Sequence, residues 1–401
     1  MKQGLITGLG LLLVGMALQA VTGPIQWSLM NWPVNAIVLA LLLLIAVMLH
    51  LLSRSFKPLR QLSSGGMAVA ALLWTSLMTI VMGLTRQGGN PADHHTLGEL
   101  LGLHHCLAWW PFVLIYVWLT MVLALVVLRR FAHFSWRRDI PFMLNHLGLL
   151  IVLLCATLGN ADLERLQMTV TYGQPEWRAT DQMGQVRELP IAIELLDFTI
   201  DEYPPKVAMF DFASGQPLPV GKPELLLLDS TFTSGTLQGH DIKLLQVLDQ
   251  AQPVMHADST SYELWQSPGA TTAVLLEVDG RQQWLSTGSY MFPSQTARVT
   301  DKLSLGLPQR EPKRYLSQVE MMTESGKHLK ADIQVNKPVT VDGWKIYQLN
   351  YDTNMGRWSD ISVLELVRDP WLPAVYTGIV MMLVGALLML FTSPKRKEDA
   401  Q

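Results

Sequence analysis

Two apolar stretches of this chain each contain a histidine, a residue type that can support chemistry. His146 lies in FMLNHLGLLIVLLCATLG, residues 142–159, and His50 lies near the end of the apolar stretch 34–52. A neutral imidazole can take up a proton or bind a metal ion. Ionisable groups within membrane spans tend to face the bundle interior and to be functional. In the simpler alternative, either histidine is a boundary residue that hydrogen-bonds to a neighbouring helix or to lipid headgroups.

A second set of candidate ligands occurs in and before the segment GLHHCLAWW, and it comprises His94, His95, His104, His105 and Cys106. Adjacent residues on a helix point about 100° apart, so only one or two of the adjacent side chains could reach one ion. We expect polar loop residues here, with a metal or cofactor ligand as the alternative. The other cysteine, Cys155, lies in an apolar stretch, and no Cys-x-x-Cys occurs. These features exclude a disulfide-stapled domain and a thiol oxidoreductase.

Apolar residues are concentrated in blocks long enough to cross a membrane. They make up 49% of the 401 residues, whereas charged residues make up 16%. This composition predicts a membrane protein with a soluble part. A span needs roughly 17–25 mostly apolar residues. The stretches that qualify are Leu5–Val21, Val34–Leu52, Met67–Leu84, Pro111–Leu128, Phe142–Gly159 and Leu372–Phe391.

Lys and Arg beside the spans predict the orientation, because cytoplasmic loops collect these residues. The short loops of one side hold only Arg86. We therefore expect both termini in the cytoplasm and residues 160–370 outside. A cleavable signal peptide ending near Leu18-Gln19-Ala20 is the alternative for the first span. The basic residues of the predicted cytoplasmic side are Lys2, Arg54, Lys57, Arg60, Arg129, Arg130, Arg137, Arg138, Lys395, Arg396 and Lys397.

The two histidines within spans are expected at one depth. The fifth span should begin near Asp139-Ile140-Pro141, a cap followed by an early helical proline. This start places His146 about 6–9 Å into the helix at 1.5 Å per residue. The second span runs the other way and ends near Leu52, which places His50 about 3 Å from the same face.

Residues 160–370 contain short apolar runs bounded by Gly, Pro, Asn and Asp, which predict β-strands. Asp279-Gly280 and Asp342-Gly343 stand between apolar residues, the strongest short cue for a hairpin. The predicted fold class is membrane α+β, with six transmembrane helices and a large extracytoplasmic antiparallel β domain, sandwich or barrel-like. No catalytic constellation is visible in this domain, so we expect binding or scaffolding. Its histidines, expected to stand alone at the surface, are His240, His256 and His328.

Several motifs occur in a fixed order in VNKPVTVDGWKIYQLNYDTNMGRWSDISVLELVRDPWLPAVYTGIVMMLVGALLML. An Asn-x-Pro turn, a Gly-aromatic strand ending in Tyr-Gln, a Tyr, and an Asp-Pro precede a glycine-bearing last span. This order resembles the C-terminal signature of the ResB (CcsB) family of System II cytochrome c biogenesis proteins. We interpret these residues as structural and not as ligand contacts, because they suit turns, packing on a sheet and the start of a helix. They are Asn336, Pro338, Gly343, Trp344, Ile346, Tyr347, Gln348, Tyr351, Asp369, Pro370, Gly378 and Gly385.

The resemblance covers roughly residues 67–391. WPFVLIYVWL and NHLGLLIVLLCATLG look like the second and third spans of the family's four-span core. Trp371 stands where the family often has glycine. The expected division of the chain is residues 1–66 (two additional helices), 67–159 (three core helices), 160–370 (the β-rich domain) and 371–401 (the final helix and a basic tail).

The resemblance implies a role in haem handling. Proteins of this family work with a polytopic partner, ResC or CcsA, and together they resemble a haem exporter joined to a cytochrome c synthase. Haem b, the transient substrate, would cross the inner membrane and be attached to apocytochrome c. The chain would not be an enzyme alone but a subunit of this haem lyase complex, and no nucleic acid partner is expected.

The resemblance also implies a role for His146, which falls where the family's third span carries His-Leu-Gly. It is expected to be an axial ligand of haem, with a partner histidine opposite. His50 is the runner-up, His104 and His105 are weaker candidates, and no metal beyond the haem iron is expected. The alternatives are a haem-independent assembly factor or sensor and a transporter acting alone. Charges are nearly absent inside the spans, which disfavours the transporter.

Overall fold

The computed structural model describes residues 1–88, 102–257 and 259–391. The chain forms two compact units: a helical unit of Met1–Leu163 with the chain from Asp369 onward, and a β unit of Glu164–Arg368. His94, His95 and the basic residues of the C-terminal tail lie outside the described residues.

The helical unit contains the apolar helices that the sequence predicts. Six helices of the described residues are long and apolar enough to cross a membrane, judged by length and composition. The helices are α1 (Lys2–Thr22), α2 (Val34–Leu52), the short α3 (Lys57–Leu62), α4 (Gly65–Leu84), α5 (Trp110–Phe131), α6 (Trp136–Gly159) and α7 (Leu372–Phe391). Short 3-10 helices occupy Trp27–Met30, Leu103–Ala108 and Asn160–Asp162.

The start of α6 differs from the prediction. The helix begins at Trp136, with Ser135 and not Asp139 at its N-cap, whereas its membrane-span candidate begins at Arg138, close to the predicted start. The Asp139 carboxylate lies in the first turn and accepts the backbone N–H of Ser135 at 2.8 Å. A carboxylate there satisfies a free N–H group and interacts favourably with the positive end of the helix dipole. His146 consequently lies about 15 Å from the first residue of α6, at 1.5 Å per residue.

Glycines let α6 and α7 approach each other closely. A Cβ atom at Gly378 would lie 2.7 Å from the carbonyl oxygen of Gly148, and one at Gly385 would lie 2.7 Å from the backbone nitrogen of Asn145. Small residues at such contacts allow two helix backbones to pack together in a membrane. Both motif glycines of the last span therefore serve the packing of α7 on α6.

A carboxylate joins the additional helix α2 to the ends of α6 and α7. Asp162 accepts hydrogen bonds from Asn35 Nδ2 at 2.7 Å and from Trp371 Nε1 at 2.6 Å. It also accepts the backbone N–H of Trp32 at 2.7 Å. Trp371 covers Gly159, where a Cβ atom would lie 2.4 Å from the Trp371 Cβ. Trp371 thus belongs to this junction.

The β unit consists of antiparallel sheets, as the sequence predicts. Its strands are β1 (Glu164–Thr171), β2 (Pro175–Thr180), β3 (Val186–Glu202), β4 (Lys206–Asp211), β5 (Leu225–Leu227), β6 (Ser234–Leu237), β7 (His240–Met255), β8 (Thr260–Leu264), β9 (Thr271–Val278), β10 (Arg281–Ser286), β11 (Ala297–Arg298), β12 (Leu303–Gly306), β13 (Pro312–Thr323), β14 (His328–Gln334), β15 (Val339–Val341), β16 (Trp344–Tyr351) and β17 (Ile361–Arg368). An eight-stranded sheet has the order β14-β13-β3-β2-β1-β17-β16-β15. A five-stranded sheet contains β10-β9-β7-β6 with β8 on β7, and a four-stranded sheet has the order β11-β12-β4-β5.

The two smaller sheets form an inserted module, which we define as β4 to β12. β3 and β13 pair directly in the eight-stranded sheet although the whole module separates them in the chain. Tyr203 donates its backbone N–H to the Glu311 carbonyl at 2.9 Å, so the two ends of the insertion touch. The module has its own buried apolar cluster, distinct from the cluster of the eight-stranded sheet.

Both predicted Asp-Gly hairpins are confirmed. β9 and β10 pair on either side of Asp279-Gly280, and β15 and β16 pair on either side of Asp342-Gly343. The φ angles are 47° and 82° in the first turn and 46° and 83° in the second. A type I′ turn requires positive φ at both central residues, and its twist matches that of the two strands it connects.

Candidate functional site

The ring of His146 is held within α6 by two contacts. Its Nδ1 lies 2.9 Å from the carbonyl oxygen of Phe142. Because a carbonyl only accepts, Nδ1 carries the proton of the neutral ring, and Nε2 keeps its lone pair. The Phe142 ring stacks on the imidazole with 3.8 Å between the centroids. In metal-binding histidines, a hydrogen bond from one ring nitrogen commonly orients the ring so that the other nitrogen can bind the metal.

A charged group lies next to this stack. The guanidinium carbon of Arg130, near the end of α5, is 5.3 Å from the Phe142 ring centroid. Arg130 also forms an ion pair with Asp139, whose side chain is fully buried. Arg138 Nε lies 3.1 Å from the same carboxylate oxygen. The buried Nε of Arg130 has no hydrogen-bond partner among the described residues.

His50 lies at nearly the same depth as His146. Asn35, near the start of α2, donates to the carbonyl oxygen of Leu158 near the end of α6 at 3.1 Å. Ala46, farther along α2, shares a buried cluster with Leu150, earlier in α6, so the two helices run antiparallel. At 1.5 Å per residue, His50 lies about 22 Å along α2 from Asn35. His146 lies about 18 Å along α6 from Leu158 by the same rise.

The structure does not join these two histidines into one ligand set. Ala46 and Leu150, each one helical turn from its histidine, share a buried cluster with side chains of α5. Within the part of the chain that the structure describes, no hydrogen bond or ring contact connects His50 with His146. Arg54 and His133 lie near His50. The described spans therefore offer His146 as a single ligand.

The histidines of the loop before α5 do not assemble a metal site in the described residues. His104 Nδ1 lies 2.7 Å from the Arg86 carbonyl oxygen, and His105 is exposed. Cys106 is buried, and its Sγ lies 3.1 Å from the Leu103 carbonyl oxygen. In the described ranges, no group of three or more His, Cys, Asp or Glu side chains could hold a metal ion. Both cysteines are free.

Motif residues of the β unit and of the start of α7 have roles in the fold. Trp344 is buried in the core of the eight-stranded sheet, and Tyr351 stacks on Phe198 with 5.3 Å between the ring centroids. The buried Gln348 accepts hydrogen bonds from two serine hydroxyl groups, one of them Ser362 at 3.1 Å. Asn336 takes a φ of 64° in the turn between β14 and β15. Asp369 accepts two backbone N–H groups at the start of α7.

A comparison with known protein families identifies one segment of the β unit. Residues 294–360 match the model of the ResB-like family. The predicted resemblance is thereby confirmed for this segment, which includes β11 to β16, and it stays a prediction for the rest of residues 67–391. No curated protein matches the chain. The described residues thus combine a ResB-like segment with six helices that are long and apolar enough to cross a membrane.

The ResB-like segment also supplies two arginines to a charged cluster that sequence analysis missed. Arg310 Nη1 lies 2.9 Å from Asp249 Oδ1, and Arg310 Nε lies 3.4 Å from Glu202 Oε2. Arg357 Nη1 lies 3.5 Å from the same Glu202 oxygen. Burial raises the pKa of Glu202 against the opposing effect of the arginines, and burial lowers the pKa of Arg357. These residues come from distant segments, so no local sequence pattern signals the cluster.

His256 and His328 are exposed, as expected for surface residues, and His240 is half-buried; each also has a polar partner. His240 Nδ1 lies 2.6 Å from Asp279 Oδ2, and His328 Nε2 lies 2.7 Å from Glu320 Oε1. His256 Nε2 lies 2.9 Å from a serine hydroxyl. The hydrogen bond from His240 lowers the pKa of Asp279. These partners lie on neighbouring strands or in turns. They could not be predicted from the residues adjacent to each histidine in the sequence.

Proposed function

We propose that the chain is the ResB-like subunit of a System II cytochrome c biogenesis complex in the inner membrane. In this role it helps to move haem across the membrane and to present it with apocytochrome c for covalent attachment. The observation that carries the proposal is the match of residues 294–360 to the ResB-like family. The place of His146 in an apolar helix supports it, because ligands for haem iron include neutral histidine.

The donors around His146 fit haem as a substrate. Nδ1 is held by the Phe142 carbonyl oxygen, which leaves Nε2 for the iron. The unpartnered Nε of Arg130 lies beside the same stack. Haem supplies an iron that takes an axial nitrogen ligand, and this chain supplies one oriented imidazole. Since the described residues bring no second histidine to it, the opposite ligand is assigned to a ResC- or CcsA-like partner.

The β unit is assigned to the extracytoplasmic side, with both termini in the cytoplasm. The support is the distribution of Lys and Arg beside the spans. We take the eight-stranded sheet as barrel-like and the inserted module as a sandwich, since the sheet has one buried cluster and the module has a large and a small one. Because no catalytic constellation occurs among its described residues, we assign the β unit to binding the partner and apocytochrome c.

Purification of the chain together with its presumed partner tests this function. We expect haem b to co-purify with the complex, and cells that lack the chain to lose covalent cytochrome c. Purification of the chain alone is the control, with much less haem expected because one axial ligand is missing. A complex without haem, in cells whose cytochrome c matures normally without the chain, would favour the haem-independent assembly factor or sensor.

A further inference from the structure

Arg130 has hydrogen-bonding capacity that its contacts within the chain do not use. A guanidinium group carries five N–H donors and no acceptor. Nη2 donates to Asp139, whereas the buried Nε has no partner among the described residues. A buried donor without a partner is unfavourable, so an acceptor supplied by a ligand would stabilise this position.

Asp139 does not neutralise all of the positive charge around it. Its Oδ1 accepts from Arg138 Nε at 3.1 Å, and its Oδ2 accepts the backbone N–H of Ser135 at 2.8 Å. Two arginines thus share one carboxylate. Asp139 would keep a cation and a backbone donor if Arg130 turned to another anion. The cluster can therefore accept a second carboxylate without leaving Asp139 uncompensated.

Arg130 is also close enough to His146 for one ligand to contact both. The Arg130 guanidinium carbon lies 5.3 Å from the Phe142 centroid, and the His146 ring centroid lies 3.8 Å from it. The guanidinium and the imidazole are therefore within about 9 Å of each other. A planar metal complex bound through Nε2 of His146, with acidic groups at its rim, can present one of them to Arg130.

We propose that Arg130 binds a carboxylate of the ligand held at His146. This inference rests on the proposed function and deepens it: the ligand class is an iron porphyrin with free carboxylate side chains. The acidic edge of the porphyrin faces the end of the helical unit where α5 ends and α6 begins. Arg130 sets the orientation of the porphyrin, and His146 binds its iron. Arginine suits this role because its planar fork matches a carboxylate.

The test compares haem b with haem b dimethyl ester, in which both carboxylates are blocked. Each is titrated by visible absorption into the complex purified from haem-depleted cells. For haem b, Arg130→Gln is expected to weaken binding by about tenfold to hundredfold, the range for a hydrogen bond between charged groups. For the ester, the variant and the unchanged chain should bind equally, which also shows that the variant is folded.

Two further variants complete the design. Arg129→Gln removes the neighbouring arginine, which contacts the Ser63 carbonyl oxygen, and should leave both affinities unchanged. Arg130→Lys keeps a cation for Asp139 but loses the fork, so haem b binding should be intermediate. If Arg130→Gln bound haem b as well as the unchanged chain does, or lost haem b and ester equally, the assignment of Arg130 would be overturned. If haem b and ester showed no binding that depends on His146, the proposed function would fail as well.

Discussion

At the residue scale, the tight turn between β15 and β16 contains a carboxylate whose charge stabilises the fold. Asp342 accepts hydrogen bonds from Lys327 Nζ and, at 2.6 Å, from the Ser325 hydroxyl. These contacts, the Lys327 hydrogen bond foremost, lower the pKa of Asp342 from 3.8 to about 2. Because the pKa is lower in the folded state, this stabilisation is present above pH 3.8 and is lost as the pH falls towards 2.

Replacing Asp342 should make the stability of the β unit less sensitive to acid. Asparagine tolerates the positive φ of 46° at this position, so Asp342→Asn removes the charge and keeps the turn. We expect a smaller decrease of the thermal midpoint between pH 3.8 and pH 2 than in the unchanged chain. Lys327→Gln should have the same effect, and the double variant should add little, because one interaction is lost in each case. An unchanged pH dependence in Asp342→Asn would refute this account.

Single residues could be predicted where the signal is local, and not where partners are distant in sequence. The two Asp-Gly turns follow from the conformational preference of adjacent residues. His146 is visible because a polar side chain interrupts an apolar run. The sequence indicated Arg130 only as one of the cytoplasmic basic residues. Its contact with Phe142 could not be predicted, because it depends on how α5 and α6 pack together. Glu202 and Arg357 meet through the folding of separate strands and carry no signal in the sequence.

At the element scale, the last helix depends on close backbone contact with α6. The sequence motif indicated Gly378 and Gly385 but not the element that they face. The structure shows that element to be α6, the helix that carries His146. The insertion was not predictable, because the periodicity that indicates a strand does not indicate its partner. β3 and β13 pair across the whole inserted module.

A methyl group at Gly378 should separate α7 from α6. Its Cβ would lie 2.7 Å from the Gly148 carbonyl oxygen and 2.8 Å from a methyl carbon of Val152. We expect Gly378→Ala to destabilise the helical unit by about 1–3 kcal/mol, as overpacking usually does. Gly10→Ala is the matched control, because open space surrounds that position in α1. Thermal unfolding in detergent should show a lower midpoint for Gly378→Ala alone, and equal midpoints would contradict the packing assigned to this glycine.

At the scale of the whole molecule, the inserted module can be removed at a point that the structure defines. The hydrogen bond between Tyr203 and Glu311 brings the two ends together, so a short glycine-serine linker can replace residues 204–310. Such a deletion keeps β3 and β13, together with the ion pair of Glu202 and Arg357. The eight-stranded sheet should therefore remain folded.

We expect this deletion variant to remain in the membrane and to retain haem with its partner, but to lose cytochrome c maturation. The reason is that the module belongs to the β unit, which is assigned to binding apocytochrome c, whereas haem binding is assigned to the helical unit and its partner. Haem content and covalent cytochrome c are measured in the same cells. Normal maturation without the module would show that it is dispensable. The orientation of the chain in the membrane also belongs to this scale, and it stays a prediction from Lys and Arg.

The central claim is that His146 binds the haem iron, and the absorption spectrum of the His146→Ala complex tests it most directly. The purified complex should lose most of its haem b, and cytochrome c maturation should stop. Added imidazole should restore both, because only the ligand is missing while Phe142 and Arg130 remain in place. His50→Ala is the matched control and should keep its haem. Full haem loading with an unchanged spectrum in His146→Ala would show that this histidine is structural and that the iron is bound elsewhere.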